Sequence, residues 1–194
     1  MSVSLNLLPQ LRQWCTSNAR AWTCGLTLLA AGFAQQGFAQ AFNEYQVKAI
    51  FLFNFAQFVD WRPTPTEAPF VIGVLGDDPF KEFLDNTVRG EKLDARPFVV
   101  KHYRVARDAV DCQILFVSGS EARQLPAILE ALKDRAVLTV SDVDDFAYRG
   151  GMVQFVTENK RIKLKINVDA ARAANLTISS KLLRPATIVS SGKD

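Results

Sequence analysis

The apolar positions of this chain change period several times, and each change marks an element. From Asn43 to Trp61 (NEYQVKAIFLFNFAQFVDW) the spacing is helical. At about 100° per residue, Asn43, Gln46, Asn54, Gln57 and Asp60 form one stripe, and Tyr45, Ala49, Phe51, Leu52, Phe55, Ala56, Phe58 and Val59 fill the opposite arc. Glu44 and Lys48 also fall on the apolar arc, so the pattern is weakest in the opening turns. The reading is an amphipathic helix of about five turns. Arg62-Pro63-Thr64-Pro65 ends it, because proline cannot supply the next backbone donors. Ile50, Phe53 and Trp61 lie on or beside the polar stripe. Either the fold covers them, or they form part of an apolar patch that a partner covers.

Short apolar runs bounded by turn residues follow. Phe70–Leu75 is continuous, which suits a strand buried on both faces of a parallel sheet. Arg96–Tyr103, Cys112–Val117 and Ala136–Val140 read as further strands, with a polar connection over Val88–Ala95. Between them, a helix is expected from Pro79 to Thr87, capped by Asp78 with Pro79 in the first helical position. A second is expected from Glu121 to Lys133, capped by Ser120, with Leu125, Ile128, Leu129 and Leu132 inside. Pro126 either kinks that helix or delays its start. A short acidic helix is expected over Val143–Tyr148.

The pattern then turns to strict alternation. Met152, Val153, Phe155 and Val156 lead to a turn at Glu158-Asn159, after which Ile162, Leu164 and Ile166 alternate with Arg161, Lys163 and Lys165. A hairpin results, with apolar side chains on one face and cations on the other; such a cationic face guards a sheet edge. Asn167 fits an N-cap before Val168–Ala174, and Asn175 can close that helix in a left-handed conformation. A serine then caps a short helix carrying Leu182 and Leu183, residues that suit either the core or a contact surface. The succession predicts one α/β domain over residues 42–190. It has a mostly parallel sheet flanked by helices on both faces and an antiparallel hairpin at one edge. Residues 191–194 are expected to form a flexible tail.

The N-terminus is compositionally different. Residues 1–41 hold two charged side chains, Arg12 and Arg20, and no acid, and Ala21–Ala34 is an apolar run of signal-peptide length, short for a membrane span. Ala39 and Ala41 supply a cleavage pattern, so export with loss of residues 1–41 is expected. Cleavage would reduce the formal charge from +3 to about +1, a balance that argues against nucleic acid as the partner. Cys15 and Cys24 leave with the leader, and Cys112 alone cannot form an internal disulfide; at the start of an apolar strand it reads as a buried, inert thiol.

Candidate chemistry is sparse. Asp77 and Asp78 follow the first strand, where ligands of open sheets bind, but Asp78 already has a capping role. His102 is the lone histidine, and no activated nucleophile accompanies it. Ser118-Gly119-Ser120 matches neither a nucleophile elbow nor a phosphate loop. The residues describe an exported binding protein, with no enzyme, metal or cofactor expected. A small-molecule binder using the strand ends near Asp77 and Ser118 is the alternative from another class, and a hydrolase relying on His102 is the least supported.

One stretch carries a family resemblance. A GGM-apolar-x-F strand (Gly150–Phe155), a basic hairpin ending in Ile166-Asn167, and then A-x-x-A-x-L-x-ISSKLLR through Arg184 is similar to the signature of the YfiR-like family of bacterial periplasmic proteins, with the match running from Phe42 to Val189. The resemblance implies a periplasmic repressor without catalytic residues. It would bind the periplasmic sensor domain of an inner-membrane diguanylate cyclase, and its release would raise cyclic di-GMP and promote biofilm. Candidate contacts are Ile50, Phe53 and Trp61 on the first helix, with Leu182, Leu183 and Ile188 near the C-terminus; a homodimer is also possible. Two departures stand out: some members use disulfides, whereas Cys112 is the mature chain's lone cysteine, and Pro185 ends the ISSKLLR helix early.

Overall fold

Asn43 starts the first helix as expected, its Oδ1 accepting the Gln46 N–H at 3.3 Å. In this computed structural model the described residues are 43–61 and 68–192. The expected leader, its cleavage site, Cys15, Cys24 and the helix stop at Arg62–Pro65 lie outside them. Helix α1 (Glu44–Phe58) ends one turn earlier than its periodicity suggests, because Val59–Asp60 becomes a two-residue strand, β1. The elements that follow are β2 (Phe70–Leu75), α2 (Glu82–Val88), β3 (Lys92–Leu93), β4 (Arg96–Tyr103), β5 (Ile114–Val117), α3 (Leu125–Ala131), β6 (Leu138–Ser141), β7 (Val153–Glu158), β8 (Arg161–Asn167), α4 (Val168–Ala173), β9 (Thr177–Ile178), α5 (Ser180–Leu183) and β10 (Thr187–Val189).

The main sheet runs β10-β8-β7-β6-β5-β2-β4-β3. Strands β4, β2, β5, β6 and β7 are parallel neighbours, and β8 returns antiparallel to β7. Outside the hairpin, β10 adds a short parallel strand along Lys165–Asn167. Alternation along the strands divides the core by face. Phe70, Ile72, Val74, Ile114, Phe116, Val140 and Ile166 pack under α1, α2, α4 and α5. Val71, Leu75, Leu115 and Val117 pack on the other face against α3, Phe146 and a 3-10 turn over Ala106–Asp111. Each such side chain contributes about 1.5–3 kcal/mol of apolar burial, so helices on both faces are what a two-sided apolar strand requires.

Helix starts depart most from expectation. Asp78 Oδ1 does accept a backbone N–H, from Phe80 at 2.8 Å, but Lys81 then takes a left-handed φ of 53°, and α2 begins only at Glu82. Ser118, not Ser120, caps a 3-10 turn over Gly119–Glu121, and α3 starts at Leu125 with Pro126 in its first turn, the delayed start that proline favours. Val143–Tyr148 is a set of turns with Asp145 at a φ of 58°, not a helix. The polar connection contains β3, which pairs with Arg96-Pro97. The hairpin turn, read over Glu158-Asn159 with Lys160 beside it, centres on Asn159-Lys160, both left-handed as a tight turn between twisted strands requires. Ser191, expected in a loose tail, accepts from Asn167 Nδ2 at 2.8 Å, and the Gly192 N–H donates to the Tyr148 carbonyl at 3.0 Å.

Candidate partner-binding surface

The first question is which of the six candidate contacts face outward. Ile50 is 46% exposed, in the middle of the outer stripe of α1, and Ile188 is 52% exposed on β10. Phe53 and Trp61 are half-buried and held in a row of rings: Trp61 lies 5.2 Å from Phe70, Phe70 lies 5.0 Å from Phe98, and Phe98 lies 5.1 Å from Phe53. Trp61 also donates Nε1–H to the Ala56 carbonyl at 2.9 Å. Leu183 is half-buried against the core, and Leu182 is inside it at 6% exposure. Leu182 therefore cannot meet a partner without the fold opening.

The ISSKLL stretch is explained by its packing. Strand β9 pairs antiparallel with β1, placing Ile178 opposite Val59, and the Ser179 N–H donates to the Phe58 carbonyl at 2.8 Å. Ile178 and Leu182 fill the core. Ser179 Oγ accepts the Lys181 N–H at 3.3 Å and caps α5. A motif read as a family signature is, at most of its positions, the clamp that ties the C-terminal segment to the end of α1.

Sequence reasoning missed a buried charge cluster. Lys48 is 1% exposed, with Nζ 2.5 Å from Glu44 and 2.6 Å from Asp142. Tyr45 donates to the same Asp142 oxygen at 3.0 Å, and Thr157 donates to Glu44 at 2.8 Å. Burial acts to raise the Glu44 carboxyl, but the Lys48 and Thr157 hydrogen bonds and the Lys48 charge outweigh it and hold the group below the usual carboxylate range. Burial, then the Asp142 charge and hydrogen bond, push the Tyr45 phenol up to about 12. The signal was Lys48 itself, an ion on an apolar arc. Such a residue needs paired charges: Glu44 supplies one from the same helix, and Asp142 the other from the loop after β6.

At the carboxyl ends of β2 and β5, where an open sheet reverses its strand order and usually binds ligands, the crevice is filled by the protein. The Asp77 N–H donates to Ser120 Oγ at 3.0 Å, and His102 Nε2 sits 2.9 Å from Asp78. Gly76 has a φ of 88°, and a Cβ there would run into Ser120 Oγ. Asp77, Asp78, Ser118, Ser120 and His102 are thus turn and capping groups. Cys112 is buried and free, donating to the Ala109 carbonyl, with burial raising its thiol to about 12 and keeping it unreactive. Among the described residues, no group of three or more His, Cys, Asp or Glu side chains could hold a metal ion, and no helix is long and apolar enough to cross a membrane. A cleft of about 470 Å3 lies at the opposite, amino ends of the strands, between Trp61, Arg96, Asp111 and Arg135.

The fold defines a mixed α/β protein with a mostly parallel sheet and an antiparallel hairpin. Its family follows from sequence: residues 45–187 match the YfiR/HmsC-like family, and the chain belongs to it. Members of that family are regulatory proteins of the periplasm, acting in cyclic di-GMP signalling. No curated protein matches the sequence. Among solved structures, a conserved domain protein from Vibrio cholerae O1 biovar El Tor is similar at 13% identity with a TM-score of 0.52, over 75% of this chain and 60% of that one. This chain thus spans about 60% of that protein's length, and the likeness is one of fold.

Proposed function

We propose that the protein is a periplasmic repressor. In this reading it binds the periplasmic sensor domain of an inner-membrane signalling protein, a diguanylate cyclase, holds it inactive and lowers cyclic di-GMP. The observation that carries the reading is the family match over residues 45–187. The hydrogen-bonded groups at the strand carboxyl ends support it, because Asp77 with Ser120 and Asp78 with His102 are engaged there with one another. Residues 1–41 are the leader that delivers the chain. Contact is made through exposed Ile50 on α1 and exposed Ile188 on β10, with half-buried Phe53, Trp61 and Leu183 as further candidate contacts. A repressor of this kind works by differential affinity: it shifts the cyclase only as far as it prefers the inactive sensor over the active one.

Deleting the gene and measuring cellular cyclic di-GMP tests this directly. A rise, reversed by the exported wild-type chain but not by an Ile50→Asp, Ile188→Asp variant, is expected. An unchanged nucleotide level, with no membrane sensor recovered by crosslinking, removes the proposal. A second reading, a periplasmic small-molecule binder, is favoured by one observation: the cleft of about 470 Å3 at the amino ends of the strands is of ordinary ligand-pocket size. Thermal stabilisation by a metabolite but by no sensor domain would select that reading.

A further inference from the structure

The near-neutral total charge conceals a strong segregation. Residues 42–157 hold 13 Lys and Arg against 17 Asp and Glu, whereas residues 158–194 hold eight against three. Three of these late cations stand on β8. Ile162, Leu164 and Ile166 pack into the core, so Arg161, Lys163 and Lys165 point to the opposite face, beside Glu158, Val156 and Gln154 of β7. The apolar cluster on that face draws on β2, β5, α3 and Phe146 but on no residue of β7 or β8. The turn at Ala147-Tyr148 covers Gln154 and half-buries Lys165, so the hairpin stands clear from Val156–Glu158 to Arg161–Lys163. Lys165 lies 5.0 Å from the centre of the Tyr148 ring, and Lys163 is 2.5 Å from Glu158. Arg161 and Lys160 form no ion pair among the described residues.

We propose that this uncovered hairpin face is a docking surface for an acidic, extended segment of a protein partner. This deepens the repressor reading and rests on it for the partner's identity, the sensor domain, but not for the surface chemistry. Alternate residues of a strand repeat every ~6.8 Å, so exposed Arg161 and Lys163, with half-buried Lys165 at the inner end, form a row that matches carboxylates at alternate positions of another extended chain. Half-buried Val156 gives the row an apolar neighbour. A second copy docking by this face about a two-fold axis would set the same cations against one another. A lipid surface would call for an aromatic or aliphatic anchor, and the tip is Glu158-Asn159-Lys160. An acidic protein segment satisfies the row without either conflict, and the cations would speed its capture and fix its register.

The test uses the full mature chain, isotopically labelled, with a synthetic peptide of alternating Glu and Val as the probe. At low salt, amide shifts confined to β7 and β8 are expected. They should weaken several-fold at about 0.3 M salt and vanish in an Arg161→Glu, Lys163→Glu variant, while Arg161→Lys, Lys163→Arg retains them. Shifts elsewhere, equal shifts in the reversed variant, reversal-sensitive self-association on sedimentation, or equal binding to anionic vesicles would each overturn the surface. In cells lacking the gene, the reversed variant should leave cyclic di-GMP high despite a native circular dichroism spectrum. If deletion itself leaves cyclic di-GMP unchanged, the repressor reading fails while the peptide titration still decides the surface.

Discussion

Lys48 and Lys163 each sit 2.5 Å from a glutamate, yet one is sealed inside the fold and the other stands in water. Around Lys48 the fold has assembled Glu44, Asp142, Tyr45 and the ring of Phe155, and the ammonium is almost without solvent. Lys163 has one carboxylate and open water. The same contact distance therefore has different meanings. A buried ion must be satisfied by its own chain, and removing its partner leaves an uncompensated charge. An exposed ion is weakly held and remains available to another molecule. Charge that holds α1 to the sheet and charge that can meet a partner are separated by burial, not by geometry.

The largest expected effect breaks the buried side of this contrast. Lys48→Met should cost about 3–5 kcal/mol, because Glu44 and Asp142 lose the cation between them, and a lowered urea midpoint at unchanged m-value would register it. Adding Asp142→Leu should recover part of the loss; a double variant as weak as the sum of its single variants would show that the two residues do not act as a pair. The apolar contacts give the parallel case. Leu182→Ala should cost about 2–5 kcal/mol as a core truncation, whereas Ile188→Ala should leave stability within about 0.5 kcal/mol. If both variants unfold alike, the division of the C-terminal residues into clamp and contact is mistaken.

These same residues show why part of the molecule was legible in sequence. The strands were, because their period reports burial directly: Phe70–Leu75 and Arg96–Tyr103 occupy the residues their patterns mark. Asn167 was legible as a cap, its Oδ1 accepting the Ala170 N–H at 2.9 Å. What failed depends on distant partners or on single torsions. Strand β1 exists only because Thr177-Ile178 comes to meet it, and no local pattern announces that. The late start of α2 turns on one left-handed residue, Lys81. The candidate surface was partly legible: Ile50 is exposed as its place on the polar stripe suggests, whereas Leu182 and the aromatic row answer to packing that period alone does not encode.

A change of pH sharpens the contrast from the other side. Glu44 has a folded pKa below its ordinary value of 4.5, so it binds fewer protons folded than unfolded. Its contribution to stability is complete above the unfolded value and is lost as pH falls through the folded one. Tyr45 is the converse: its phenol is raised to about 12, so its contribution is present below about pH 10 and is lost as pH rises toward 12. Urea midpoints measured from pH 7 down to pH 3 should fall below about pH 4.5 in the wild type. They should fall less in Lys48→Met, where the group depressing Glu44 is gone. Equal acid slopes in the two proteins would detach Glu44 from Lys48.

The smallest expected effect is on the exposed side. Lys163→Met removes a cation whose partner, Glu158, is fully solvated, so the gain from the pair is offset by screening and by the freedom two long side chains recover. The hairpin keeps its register regardless, because Phe155, Leu164 and Ile166 remain on the buried face and a one-residue slip would turn them outward. Tm should therefore move by no more than about 2 °C while the alternating Glu-Val peptide binds measurably more weakly. A large fall in Tm would mean that the row of cations supports the fold after all. The comparison with Lys48 would then collapse, since both lysines would be internal supports and neither would be free for a partner.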